Sequence, residues 1–545
     1  MQINIRLFHL KETELILLYI WEIDKKTGKE GISFTAYFKR TGERKDQMKS
    51  FDMTVWFRKG SRKFTGLLAA ILAISVLVSL VLIPASASEK PKKATGSTDI
   101  PNKYNVPFSI DDDEVLILGV NYKPFENTTA SNHENADRFF EEVMGKKLRQ
   151  AFPDVRIKYV TWDFPLRYED LDAAGICPDI ILENPRSGME RDLRSRGWVG
   201  DITEMLGQKD LDLSKLNKAA VEQLKAHSSG GIYGVPIFID DYYLFYNKKI
   251  FDMRHVPYPK SGMTYEQAYL KAKMLTFQHG LDGYKGYQQH PDHYLNLNQF
   301  GLNPFLPTNS ENPAPEDVKV NITSLQWVLL ARNMDRFLTI KRNTFTTPND
   351  FLKADMSKPG HVAMAVDTLS KLPMYVNSEL YIKDGEEERY QEWTKNIDVG
   401  ISSVPVLTPG CRTTYQPNQI AAFVPPQSRN LDTAYDIVKW MVSEEAQVEL
   451  SRHGMKGVLE TDAVKSSFGK DIPELANVDT SAIYWGENAV IKNYKNIKFW
   501  NIPLWNVFRL HVLKDGMTPE SSLIVTEKED IPNYIKNQAA AGKDW

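Results

Sequence analysis

At 545 residues the chain is too long for one hydrophobic core. A formal net charge of −3, with 25% charged residues, argues against the basic face of a nucleic-acid binder. Gly (31) and Pro (29) are near ordinary levels and no period of solenoid length repeats, so most of the chain is expected to fold as globular units.

Residues 1–57 form an N-terminal extension with no clear domain pattern. Met48 and Met53 lie just ahead of the basic run RKGSRK (58–63), and a start at either gives a signal of ordinary length. The extension therefore reads as a start placed too early; a small cytoplasmic segment ahead of an anchor is the alternative. Phe64 to Ile83 is almost wholly apolar, and PASASEK follows. A basic flank, an apolar stretch and the small-residue site Ala85-Ser86-Ala87 make 58–87 a signal peptide cut after Ala87. A retained membrane anchor is the rival, since about 20 apolar residues suffice to span. Either way the rest is expected to be extracellular, released to the cell surface or anchored through 64–83. Residues 88–112 are polar and contain proline, as a linker does. Cys177 and Cys411 are the only cysteines. A bridge between them and two buried thiols both stay open, and no Cys/His spacing fits a zinc site.

The exported part alternates strands and helices. VLILGV (115–120) is a short apolar run suited to a strand buried on both faces. Ala136 to Leu148 carries helical spacing. VRIKYV (155–160) and DIILE (179–183) are the next strands, so a β-α-β unit with a parallel sheet is expected. Ligands in such sheets sit beyond the carboxyl ends of strands. Asn121 and Tyr122, Trp162 and Asp163, and Asn184 occupy those positions and are candidate ligand residues. GIYGVPIFIDDYYLFYNKKIFD (231–252) reads as two strands with Asp240-Asp241 between them, which suits a chain passing from one domain to another beside a cleft. Thr264 can cap a helix with Gln267 as reciprocal partner. A loop-rich run, 278–307, precedes a helix at 325–338. HVAMAVDTLS (361–370), IDVGISSVPVL (397–407) and IAAFVPP (420–426) are extended. A helix follows from Leu431, and Ser443 caps its continuation.

Five of these pieces fall in an order that resembles the extracellular solute-binding proteins of bacterial ABC importers, in their maltose-binding-protein-like sugar-binding group. They are GIYGVP with LFYNKKIF (231–251), MTYEQAYLKAKMLT (263–276), GHVAMAVD (360–367), VGISSVPVLTPG (399–410) and PQSRNLDTAYDIVKWMVSEEAQ (426–447). The resemblance runs from 114 to about 455. Two features depart from it. No lipid-attachment cysteine follows the signal, and the tryptophan that sugar binders often place after the A-M strand is missing or replaced by Tyr375.

The resemblance implies an α/β, two-lobed periplasmic-binding-protein-like (type II) fold with a ligand cleft between lobes joined by hinge crossings. Lobe one is expected over 113–240 and 404–450, and lobe two over 241–403 and 451–545. It implies a protein that captures a solute, a carbohydrate or oligosaccharide, and delivers it to ABC permease membrane subunits as a monomer. No catalysis, cofactor, metal or nucleic acid is implied. A membrane-anchored ligand-sensing ectodomain and a secreted glycan hydrolase are the alternatives; no G-x-S-x-G, H-E-x-x-H or phosphate-loop motif supports the latter.

Within the cleft, Asp240 and Asp241 could accept hydrogen bonds from ligand hydroxyls or pair with a cationic ligand, or instead form a capped turn or an interlobe salt bridge. Tyr242 and Tyr243 point to opposite faces, so one should face inward as a stacking group, with core packing the alternative. Asp367 and Ser370 end the A-M strand and are candidates too. Among Trp485, Trp500 and Trp505 one is expected to stack on ligand. His290-x-x-His293 is read as an exposed loop because of Pro291, not as a metal site.

Overall fold

A computed structural model describes residues 3–10, 13–24, 29–40, 49–58 and 97–541. Within the last range it leaves out 106, 120–139, 162–164, 187–192, 227–230, 310–313, 344–359, 377–396 and 493–501. The chain divides into two compact units, Met1–Lys93 and Ala94–Trp545. In the first, β1 (Ile3–Leu10), β2 (Thr13–Asp24), β3 (Lys29–Arg40) and β4 (Lys49–Arg58) form an antiparallel meander in sequence order. This corrects the reading of 1–57 as patternless. The apolar stretch 64–83 lies outside the described residues.

Among the described residues the second unit holds two larger sheets and two short two-stranded pairs. A short pair, β5 (Ser97–Asp99) and β6 (Ser109–Asp111), opens it. Then β7 (Glu114–Gly119), β8 (Arg156–Thr161) and β9 (Ile180–Glu183) run parallel. Val115 to Leu118 are all at most 1% exposed, as a doubly covered strand requires. Each such side chain contributes about 1.5–3 kcal/mol by burial. β10 (Val235–Ile239) completes the first half of this sheet, and β11 (Tyr242–Asn247) belongs to the other.

The second sheet pairs β11 with β15 (Met364–Thr368) and β16 (Val399–Ser403), and β14 (Gln288–Gln289) lies outside β15. Between them fall a small hairpin, β12 (Phe277–His279) and β13 (Asp282–Tyr284), and the helices Tyr265–Leu275, Pro291–Asn296 and Leu325–Leu338. The helix Tyr265–Leu275 starts where expected, with Thr264 Oγ1 accepting from the Gln267 N–H (3.2 Å) and Gln267 Oε1 accepting from the Thr264 N–H (2.9 Å). β17 (Gln419–Phe423) and β18 (Lys456–Gly457) return to the first sheet, whose order is β18-β10-β17-β9-β7-β8.

Two expected boundaries move. Val404 and Tyr415 pack in the core of the second sheet, so that body continues past 403. Leu450, Met455 and Val458 pack in the core of the first sheet, so that body continues past 450. The chain re-enters the second body by Leu475, Ala482 and Ile483, which pack on the far face of its sheet.

Candidate functional site

Asp240 and Asp241 are the two residues between β10 and β11, so they sit where the chain leaves one sheet for the other. Both are buried. The Asp240 carboxylate accepts from the Ser370 N–H (2.8 Å) and the Ser370 hydroxyl (2.9 Å). Its N–H donates to the Asn418 carbonyl (2.8 Å), and the Asn418 amide donates back to the Asp240 carbonyl (3.1 Å). Asn184 joins this network through its own amide, which donates to Asn418 Oδ1 (2.9 Å). Burial pushes the Asp240 carboxyl up to about 6, although the Ser370 donors pull it back.

Asp241 meets Lys456 of β18, Nζ to Oδ2 2.8 Å, with both side chains nearly inaccessible. Burial opposes the lysine's charge, but the Asp241 carboxylate raises its pKa above the ordinary range. The Asn488 amide donates to both Asp241 oxygens (2.9 and 2.8 Å). The contacts these acids make within the chain join the two bodies, Asp240 to Ser370 and Asp241 to Lys456.

The other sequence candidates divide. Tyr243 lies in the core, and its hydroxyl donates to the Ile483 carbonyl (2.8 Å). Asp367 accepts from the Tyr375 hydroxyl (2.6 Å) and from the Thr368 N–H (2.8 Å). Tyr375 is itself buried, edge-on to Phe245. Trp485 lies against Gly262, whose φ of +85 and missing Cβ (2.8 Å from the ring if present) make room for it. The Arg412 guanidinium lies 5.3 Å from its ring. Asn121, Tyr122, Trp162, Asp163 and Trp500 lie outside the described residues.

Sequence reading missed a cluster on the second body. Pro291 does not make a loop; it takes the first turn of the helix Pro291–Asn296, where its missing N–H costs nothing, and His290 is the cap. His290 Nδ1 accepts from the Asp292 N–H (3.1 Å), and the His290 and His293 rings stack at 4.4 Å. Tyr242 lies 5.0 Å from His293, centroid to centroid. Arg186, just past β9 of the first body, extends Nη1 to the Asn296 carbonyl at 3.4 Å. The row Arg186, Tyr242, His293, His290 thus spans the seam between the two sheets. Burial lowers His290 to about 4; burial, then His290 and Arg186, lower His293 to about 3, so both are neutral at pH 7. Burial raises the carboxyl of the adjacent Asp292 to about 7 against a hydrogen bond from the backbone N–H of Trp505. Asp292 Oδ1 is buried and has no hydrogen-bond partner among the described residues. Trp505 beside it is half-buried, with the Arg509 guanidinium 5.0 Å from its ring. Neutral imidazoles, an unsatisfied carboxylate oxygen and an aromatic plane suit a neutral, hydroxyl-rich molecule. Local spacing offered one signal for this, the HPDH tetrapeptide with proline at the first helical position.

A family model described as bacterial extracellular solute-binding protein matches residues 130–448, more than half of the chain. No curated relative matches the sequence. Among solved structures, an ABC substrate-binding protein of Listeria monocytogenes in complex with cycloalternan is similar over 79% of this chain and 99% of its own, with a TM-score of 0.52 and 17% identity. A sugar transporter protein of Rhizobium etli, in an open conformation, covers 76% of this chain and 99% of its own, with a TM-score of 0.54 and 17% identity. The sugar-binding protein MalE of Xanthomonas citri covers 79% and 99%, with a TM-score of 0.52 and 13% identity. At these identities the likeness is one of fold, the type II two-lobed architecture.

Proposed function

This chain belongs to the bacterial extracellular solute-binding proteins, and from that premise we propose that its solute is a carbohydrate, held at the seam between the lobes and passed unaltered to an ABC permease. The observation that carries the choice of ligand is Asp292. A buried carboxylate oxygen without a donor costs free energy, and a ligand hydroxyl would supply the donor. Trp505, whose backbone reaches Asp292, would offer the ring face not covered by the Arg509 guanidinium to the C–H side of a sugar. Arg186, Tyr242, His290 and His293 line the same seam with groups that can donate, stack or do both. The cycloalternan held by the Listeria protein and the sugar binding of the Xanthomonas protein agree with this choice. Delivery would need only lobe closure over the ligand and docking on the permease as a monomer. Residues 58–87 would direct the chain out of the cell or hold it there.

A thermal-shift panel tests the reading. A ligand that binds only the native state raises its melting temperature by mass action. The full chain is heated with neutral oligosaccharides, uronates, amino acids and short peptides. The expected result is stabilisation by at least one neutral oligosaccharide, recovered intact afterwards. Stabilisation by amino acids or peptides alone, or cleavage of the bound sugar in stoichiometric excess, would overturn it.

A further inference from the structure

We infer that Asn488 is the fastening point that sets the resting angle between the lobes, an inference that rests on the two-lobed solute-binding architecture but not on the choice of ligand. Its side chain is buried, 6% exposed. The Nδ2 hydrogens reach the Asp241 carboxylate (2.9 and 2.8 Å) and the Tyr415 carbonyl (3.1 Å). Oδ1 accepts from Lys456 Nζ (3.3 Å) and from the Asn217 amide (3.3 Å). A primary amide offers two N–H groups and two lone pairs. All four are used here.

The four partners lie on four different stretches. Asp241 is on the first crossing. Tyr415 lies just before the chain returns to β17 on the second. Lys456 is in β18, just ahead of the third, and Asn217 caps the start of the helix Lys218–Ala226 in the first body. Asn488 lies on the chain that comes back from that third crossing. One side chain therefore ties the three passages between lobes to one another and to the first body.

The chemistry specifies an amide. Turned over, its oxygen would face the Asp241 carboxylate and its N–H₂ group the Lys456 ammonium, so the orientation is fixed by charge. An aspartate would put a second carboxylate against Asp241. An alanine would leave the buried Tyr415 carbonyl and the half-buried Asn217 amide each one partner short. Asn488 touches no group of the His290–Asp292–Trp505 cluster in any hydrogen bond described above. Its effect on solute binding would pass through lobe geometry, which makes it a positioning residue.

Spin labels on one exposed site in each lobe read that geometry without any ligand. Lys215, 73% exposed, and Leu281, 93% exposed, are suitable sites. Both are changed to cysteine in the full chain with Cys177→Ser and Cys411→Ser, and the distance distribution is measured by double electron–electron resonance. Asn488→Ala and Asn488→Asp are compared with Val438→Ala, a core change on the helix Leu431–Met441 of the first body. The expected result is a shifted and broadened distribution for both Asn488 variants and an unchanged one for Val438→Ala. A lower melting temperature for folded Asn488→Ala with the wild-type distance distribution would overturn the inference. If Asn488→Ala does not fold, Asn488→Asp alone decides by the same comparison. Absence of any sugar binding would leave these outcomes unaffected, so the two readings fail separately.

Discussion

Asp241 and Lys456 stand 215 positions apart in sequence and 2.8 Å apart in space, a buried ion pair that pins β18 of one sheet to the chain leaving for the other. Its energetics follow from burial. Two charges removed from water repay the cost only while each has the other. Asp241→Asn keeps the shape and deletes one charge. The variant is expected to lose about 3–5 kcal/mol, because Lys456 remains buried without a counter-charge. Urea unfolding at pH 7 measures it. A loss under about 1 kcal/mol, the range of a surface pair, would mean that the pair is solvated in solution.

Asp292 is expected to trade stability for function. Its carboxyl is raised from 3.8 to about 7 by burial. A raised carboxylate pKa means that the native state holds its proton more tightly than the unfolded state. The charged form therefore destabilises the fold fully above pH 7, and the penalty fades as pH falls toward 4. At about 1.4 kcal/mol for each tenfold change in proton affinity, the penalty is roughly 4 kcal/mol at most. Asp292→Asn should then raise the melting temperature at pH 8, with the gain shrinking by pH 5. A gain that grows in acid would contradict the burial that carries the site.

The two histidines of the seam act with the opposite sign. Their pKa values fall from 6.5 to about 4 and about 3. The unfolded chain thus takes up their protons first, and stability from these neutral rings is lost as pH drops below 6.5. His290→Gln and His293→Gln should each flatten the fall in melting temperature between pH 6.5 and 4.5. Unchanged slopes in both variants would place the rings in water.

Gly262 is expected to tolerate no side chain. Its φ of +85 strains any L residue, and an added Cβ would come within 2.8 Å of the Trp485 ring. Gly262→Ala should cost about 1–3 kcal/mol, the usual scale for overpacking or a strained backbone, and should alter tryptophan fluorescence. A neutral variant would mean that Trp485 moves aside freely.

The local features of this chain were legible where periodicity or capping chemistry reports them. Thr264 with Gln267, Ser443 ahead of Glu444–Arg452, and the runs that became β7, β8, β9 and β17 all announce themselves within a few residues. The break between sheets at Asp240-Asp241 was visible as two acids between apolar strands. What those acids touch was not visible. Lys456 and Asn488 lie more than 200 positions away, and pairing at that range leaves no local pattern. The same holds for Tyr415, which packs with the second sheet though the sequence nearby reads as the way back to the first. His290 and His293 were misplaced for another reason. Proline ends helices but also begins them, and only the cap geometry distinguishes the two.

Calorimetric titration of the oligosaccharide that most stabilises the full chain, against wild type and Asp292→Asn at pH 8, tests the proposed site most directly. A charged acceptor lost from a ligand hydroxyl costs about 1.5–3 kcal/mol, or roughly ten- to a hundred-fold in dissociation constant. The expected result is that weakening in Asp292→Asn, with a fold at least as stable as wild type. Equal affinity in the two proteins would contradict the placement of the ligand at Asp292 and Trp505.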